Sequence, residues 1–329
     1  MPDLGLGLPQ FEAFLAGLNV PNSCVLNKPL FKKMFQEHAD LDAKDKKALK
    51  DDVDKIRWLY TLKPSTINIA SYSDDLRDYG ELAFLLVELS SAKNTERLGQ
   101  LINRAIPYPT VIFFVHSESK TVEGSTPSAT EANAESGVTG REYEPENKNA
   151  NEQLALCLAD KRINKADKEK WVIEAFQLSP WLGLSSKTES EQEFLNSLTF
   201  TGLPHSNFWQ FYQAIMARVQ ALQCAHISGR FHLASGEVTQ QADLLNRYRS
   251  IENDIKKLRA QIKQAEFSQQ VVLNTNCSKQ TLKLKAEAKK NTRKHSEKRY
   301  PRSGLKKHGH RRRQHQQTPR TVPRSLYRR

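Results

Sequence analysis

Two short runs constrain the fold most: Leu82–Leu89 (LAFLLVEL) and Thr110–His116 (TVIFFVH) are apolar at nearly every position. A strand with one solvated face alternates apolar and polar residues, so runs like these imply strands covered on both faces. Between them, Leu98, Leu101 and Ile102 recur at helical spacing and predict an amphipathic helix over Glu96–Arg104. Strand, helix and strand in that order predict a right-handed βαβ unit with its two strands parallel.

The surrounding segments supply helices and further strands. Phe31, Phe35 and His38 share one helical face. Asp40 is placed to cap a second helix through Leu49, Val53 and Ile56, ended by Pro64, which lacks an amide donor and restrains Lys63. Thr66–Ser71 is short and β-branched and reads as a strand. Gln153–Ala159 and Trp171–Leu178 read as a strand hairpin around a polar loop, Asp160–Lys170. Ser206 is placed to cap a helix whose apolar face runs through Phe208, Phe211, Tyr212, Ile215, Met216, Val219 and Leu222.

Farther on, Leu244, Tyr248, Ile251, Ile255, Leu258, Ile262 and Ala265 step by four and three residues. This is the seam of a coiled coil, and so narrow an apolar stripe requires a partner helix. The partner is either the helix-prone stretch from Leu282, reached through a turn at Asn274-Thr275-Asn276, or a second copy of the chain. The internal hairpin is favoured, with a homodimer as the alternative.

Composition enters where the periodicity stops. Hydrophobic residues make up 38% of the 329 residues, below the about 45–50% of a packed domain, so some segments cannot offset their ordering entropy. Ser117–Ala150 has almost nothing to bury and reads as a disordered insertion. The charge is segregated as well. Ser278–Arg329 holds 19 of the 50 Lys and Arg but two of the 37 Asp and Glu, a net +17, whereas Met1–Cys277 holds 31 against 35, a net −4. The expected fold class is therefore α+β: a mixed sheet of about five strands with flanking helices, then a coiled-coil helical hairpin and a disordered basic tail. The α+β domain spans 1–116 and 151–230, interrupted by the insertion at 117–150. The hairpin spans 237–290 and the tail 291–329.

A cationic tail gains by releasing counterions condensed on a phosphate backbone. The expected nucleic-acid-binding residues are Lys289, Lys290, Arg293, Lys294, Lys298, Arg299, Arg302, Lys306, Lys307, Arg311, Arg312, Arg313, Arg328 and Arg329. Tyr300 and Tyr327 are the tail's aromatics, too sparse for base stacking, so binding is expected to be sequence-independent.

Chemistry is harder to find. The sequence has no phosphate-binding GxxxxGK[ST] loop, no HExxH and no GxSxG elbow. Cys24, Cys157, Cys224 and Cys277 are scattered and fit a reducing cytoplasm. His308, His310 and His315 cluster among cations, which repel a metal ion, so no metal and no cofactor are expected. No apolar run approaches the roughly 20 residues of a membrane span, and Met1–Gln10 does not read as a signal peptide. A cytoplasmic protein without membrane contact is expected. The enzyme alternative is a metal-dependent nuclease using Glu81, Glu88 and Asp160 at strand ends. Against it, Glu88 is followed by Leu89-Ser90 rather than by a lysine two positions on.

Three stretches carry a resemblance. Asp54–Ile69 includes Trp58, Pro64 and Asn68. Leu101–Phe114 includes Ile106, Pro107, Tyr108 and Pro109. Phe267–Asn274 (FSQQVVLN) lies in the hairpin. In this order they resemble a bacterial family known as domain of unknown function 4391, over residues of about 30–290. Ser268 stands where the family pattern has asparagine, and both the insertion and the tail depart from it. The resemblance implies a genomic setting among helicase and DNA-methyltransferase genes of restriction or phage-defence clusters. The expected function is a non-catalytic accessory subunit of a bacterial DNA-processing or phage-defence complex, which docks a helicase or methyltransferase and binds nucleic acid without sequence preference through its tail, DNA being favoured over RNA.

Overall fold

The computed structural model describes residues 4–38, 41–118, 151–167, 171–233 and 238–299. In chain order the elements begin with α1 (Pro9–Gly17), β1 (Val25–Leu30), α2 (Lys32–His38), α3 (Ala43–Asp51), β2 (Val53–Leu62), β3 (Tyr72–Ser73) and β4 (Asp78–Tyr79). They continue with β5 (Leu82–Leu89), α4 (Thr95–Ala105), β6 (Thr110–Glu118), β7 (Asn151–Ile163), β8 (Trp171–Leu178) and β9 (Leu182–Gly183). Helices α5 (Glu189–Ser197), α6 (Phe208–Ser228), α7 (Val238–Gln264) and α8 (Phe267–Arg299) complete it.

The protein is a mixed α+β fold around a seven-stranded sheet of order β1-β2-β5-β6-β7-β8, with β9 on β7. The βαβ unit is present: β5 and β6 pair in parallel from Ala83↔Thr110 to Leu89↔His116, and α4 crosses between them. Both strands are buried almost throughout, as their composition requires. On one face α2, α3 and α4 enclose Phe35, Leu49, Leu85, Leu98, Ile112 and Phe114. On the other, α1, α5 and α6 enclose Phe11, Phe84, Phe113, Phe194, Phe211 and Val219. Helix α4 lies so close to β7 that a Cβ at Gly99 would come within 2.7 Å of the Cys157 sulfur.

Several boundaries differ from expectation, each for a local reason. Asp42, not Asp40, caps α3, accepting from the Asp45 amide, and the helix ends at Asp51. Val53–Leu62 is then strand rather than helix: it pairs antiparallel to β5, and a register shift between Trp58 and Tyr60 puts Ile56 and Trp58 on one face of the sheet and Tyr60 and Leu62 on the other. The gain of this strand, β1 and β9 and the loss of the expected strand Thr66–Ser71 take the sheet from about five strands to seven. Thr66–Ser71 is not a strand; the Thr66 hydroxyl bonds Lys63 and Thr61 carbonyls and fixes a turn. Asn207, rather than Ser206, caps α6. Strand β7 runs on through Ile163, so Asp160 and Lys161 are strand residues and not loop.

The chain separates into two compact units, Met1–Thr292 and Arg293–Arg329. In the first, the break between α7 and α8 falls at Ala265-Glu266, and Asn274–Asn276 lie inside α8. The Thr275 hydroxyl donates back to the Val271 carbonyl (2.9 Å), so the side chain expected to favour a turn is used within the helix. In the second unit, the helix continues through Arg299, into the stretch expected to be disordered. Of the expected insertion, Ser117 and Glu118 belong to β6 and the rest lies outside the described residues. No helix among the described residues is long and apolar enough to cross a membrane.

Candidate functional site

The motif residues gather towards one end of the sheet. Trp58 on β2 meets Tyr108 edge to face, ring centres 6.4 Å apart. Tyr108 is 42% exposed, although its backbone is tightly held. The Lys161 ammonium nitrogen donates to the Ile106 carbonyl (2.7 Å) and the Tyr108 carbonyl (2.8 Å), and the Thr110 hydroxyl also donates to Tyr108 (2.8 Å). Ile106 ends α4, whose last carbonyls lack helical partners, so Lys161 satisfies a helix C-terminus from below. Lys161 is 1% exposed. Burial pushes its pKa down to about 7, and the same burial pushes the Cys157 thiol up. Pro64 and exposed Asn68 belong to the turn after β2, where Lys63 pairs with Glu81 at 2.8 Å.

The three carboxylates considered for catalysis do not converge. Glu81 precedes β5 and Glu88 lies near its far end, which at about 3.3 Å per residue separates them by roughly 23 Å. Glu88 faces Lys55 across the ladder (3.5 Å), and burial raises its pKa against that cation's pull. Asp160 sits at the Glu81 end, two strands away, and accepts from the buried Tyr79 hydroxyl (2.7 Å). Arg77 lies 3.6 Å from it and binds Glu174 at 2.7 Å; Glu174 also holds Arg162 at 2.8 Å. Among the described residues no three His, Cys, Asp or Glu side chains are grouped to hold a metal ion. The described arrangement at this end is a charge lattice that locks β7, β8 and the β3–β4 hairpin together.

The seam residues behave as one face of α7. Leu244 and Ile255 are buried, and Tyr248, Ile251, Leu258, Ile262 and Ala265 are half-buried between exposed neighbours. Near its start, Leu244 and Leu245 pack on Cys224 of α6. Beyond that α8 folds back, since Arg259 lines one cleft with Asn274, Cys277, Ser278, Thr281 and Leu282. The half-buried positions described on α8 are Gln270, Leu273, Cys277, Gln280, Thr281, Leu284 and Glu287, and apart from Thr281 they step by three and four. Of the expected nucleic-acid ligands, Lys289, Lys290, Arg293, Lys294, Lys298 and Arg299 fall on the α8 backbone. Arg302, Lys306, Lys307, Arg311, Arg312, Arg313, Arg328 and Arg329 lie outside the described residues, as do His308, His310 and His315.

The family profile described as Domain of unknown function (DUF4391) matches residues 18–284, most of the chain. The chain belongs to this family. The match takes in the sheet, the motif end and the hairpin, and stops before the most cationic segment. No curated protein and no solved structure shows significant similarity to the chain. Sequence reasoning missed Lys161 as the clamp of the family turn, because it stands in the charged run Asp160-Lys161-Arg162, which reads as solvent-facing. The partners Arg77, Tyr79 and Glu174 come from distant segments and left no local signal.

Proposed function

We propose that this chain is a non-catalytic accessory protein of a DNA-processing or phage-defence complex. Its α+β body and hairpin dock a larger enzyme, a helicase or DNA methyltransferase, and its cationic C-terminal segment holds the phosphate backbone without reading sequence. One observation carries this reading: a net +17 is confined to Ser278–Arg329 behind a body of net −4. Such segregation disfavours nonspecific adhesion of the body and concentrates counterion release in one segment. Tethering by that segment raises the local concentration of a docked enzyme on DNA.

The test has two parts. Duplex binding is measured against salt for the full chain and for a chain with the Arg and Lys of residues 302–329 replaced by Gln; unchanged affinity refutes the role of the tail. Copurification from the native host, with and without nuclease treatment, then asks whether a helicase or methyltransferase stays bound when DNA is gone. Loss of every such partner on nuclease treatment removes the docking half of the reading. The enzyme alternative is decided on the same preparation by plasmid cleavage in Mg²⁺ that is lost in Glu88→Ala, and a homodimer by light scattering over a range of concentrations.

A further inference from the structure

The ordered hairpin carries a charge pattern of its own, upstream of the tail. Between residues 255 and 286 there are seven cations and a single carboxylate, Glu266. Lys256, Lys257, Arg259 and Lys263 lie on α7, and Lys279, Lys283 and Lys285 on α8; all seven are exposed. None has a carboxylate partner among the described residues. In the body some cations are paired, as Lys63 is with Glu81, Arg97 with Asp45 and Arg162 with Glu174. A soluble helical hairpin ordinarily balances its outer positions with charges of both signs, which support the helices through i,i+4 pairs. Seven cations beside one carboxylate over this stretch create a concentrated positive field.

The geometry adds a place for an anion. Lys256, Arg259 and Lys263 are spaced by three and four residues and so form one flank of α7. From the middle of that flank Arg259 reaches the cleft of about 430 Å³ between the helices, lined from α8 by Asn274 and Ser278. A guanidinium, a carboxamide and a hydroxyl around one opening are donors suited to a phosphate oxygen. The Thr281 hydroxyl on the same wall is already used, donating to the Cys277 carbonyl at 2.8 Å.

We infer that the α7–α8 hairpin is itself a nucleic-acid-binding surface, gripping the phosphate backbone of a duplex along the Lys256–Arg259–Lys263 flank and the cleft beside it. The inference rests on the nucleic-acid reading above and extends it from the tail to the family region. The hairpin fixes these charges on helices, so a duplex bound there has a defined orientation relative to the α+β body, which a tail alone would not impose.

The test uses full-length protein and a random-sequence 30-base-pair duplex, titrated by fluorescence anisotropy at several salt concentrations. One variant replaces Lys256, Arg259 and Lys263 by Gln; its control replaces Arg311, Arg312 and Arg313, removing equal charge from the tail. Circular dichroism verifies that helix content is retained, as expected for exposed positions. The hairpin variant should lose roughly tenfold in affinity at about 0.1 M salt, and its plot of log K against log salt should flatten by about 2–3, near 0.9 per lost phosphate contact. An unchanged hairpin variant beside a weakened tail control overturns the inference and leaves the tail reading standing. If neither variant changes, both fall. Loss of binding to phosphatidylglycerol vesicles, with duplex binding intact, would also overturn it and assign the surface to membranes.

Discussion

Lys161 places an amine in the protein interior with two carbonyls as its hydrogen-bond acceptors. A buried ammonium is costly, and the fall of its pKa to about 7 expresses that cost. Between about pH 7 and 10.5 the unfolded chain holds a proton on this lysine that the folded chain does not. The unfolded state thus binds more protons, and the contribution of Lys161 makes stability rise with pH across that window, by at most about 1.4 kcal/mol per unit. Below pH 7 both states are protonated and the contribution is flat. Lys161→Met removes the titration and leaves the Ile106 and Tyr108 carbonyls without this donor. Urea unfolding at pH 6, 7, 8 and 9 should show the advantage of wild type over the variant growing from pH 7 upward. A difference independent of pH would mean that Lys161 stays charged in the fold.

At the scale of elements, capping groups from distant strands set helix positions. Leu8 gives α1 no side-chain cap; instead Glu152 on β7, 2% exposed, accepts from the Phe11 amide (2.7 Å) and the Gln10 amide (3.3 Å). Burial raises the Glu152 pKa while these amides oppose the rise. Glu152→Ala leaves orphan donors at a buried helix start and should cost about 1–3 kcal/mol in urea unfolding, with Glu152→Gln costing less because one acceptor survives. Equal losses in both would show that the charge, and not the acceptor, matters. The hairpin offers a second contrast. Ile255 is 6% exposed and Phe267 82%, so Ile255→Ala should cost about 2 kcal/mol or more and Phe267→Ala almost nothing. The same details explain what could be read from sequence. β5 and β6 were legible because burial on both faces leaves an unbroken apolar run, and the α7 seam because its period is regular. β2 was misread because Asp54 and Lys55 are exposed at its start and the register shift after Trp58 breaks its alternation. The Glu152 cap and the Lys161 clamp were not legible, since each joins residues that chain order keeps far apart.

For the whole molecule, buried apolar area and cationic charge are concentrated in different parts of the chain. Every buried hydrophobic residue among those described lies between Leu6 and Ile255, while the strongest cationic density begins at Ser278. Under the proposed function, each charge of that segment that meets a phosphate releases counterion. If about half of the 19 cations in Ser278–Arg329 engage a duplex, the salt slope should be about −8 to −9. Replacing the Lys and Arg of residues 302–329 by Gln should flatten that slope by several units. The urea midpoint and the m-value should stay unchanged, because the surface exposed on unfolding is the same. A fall in the midpoint would mean that the tail packs on the body and that its charges serve the fold.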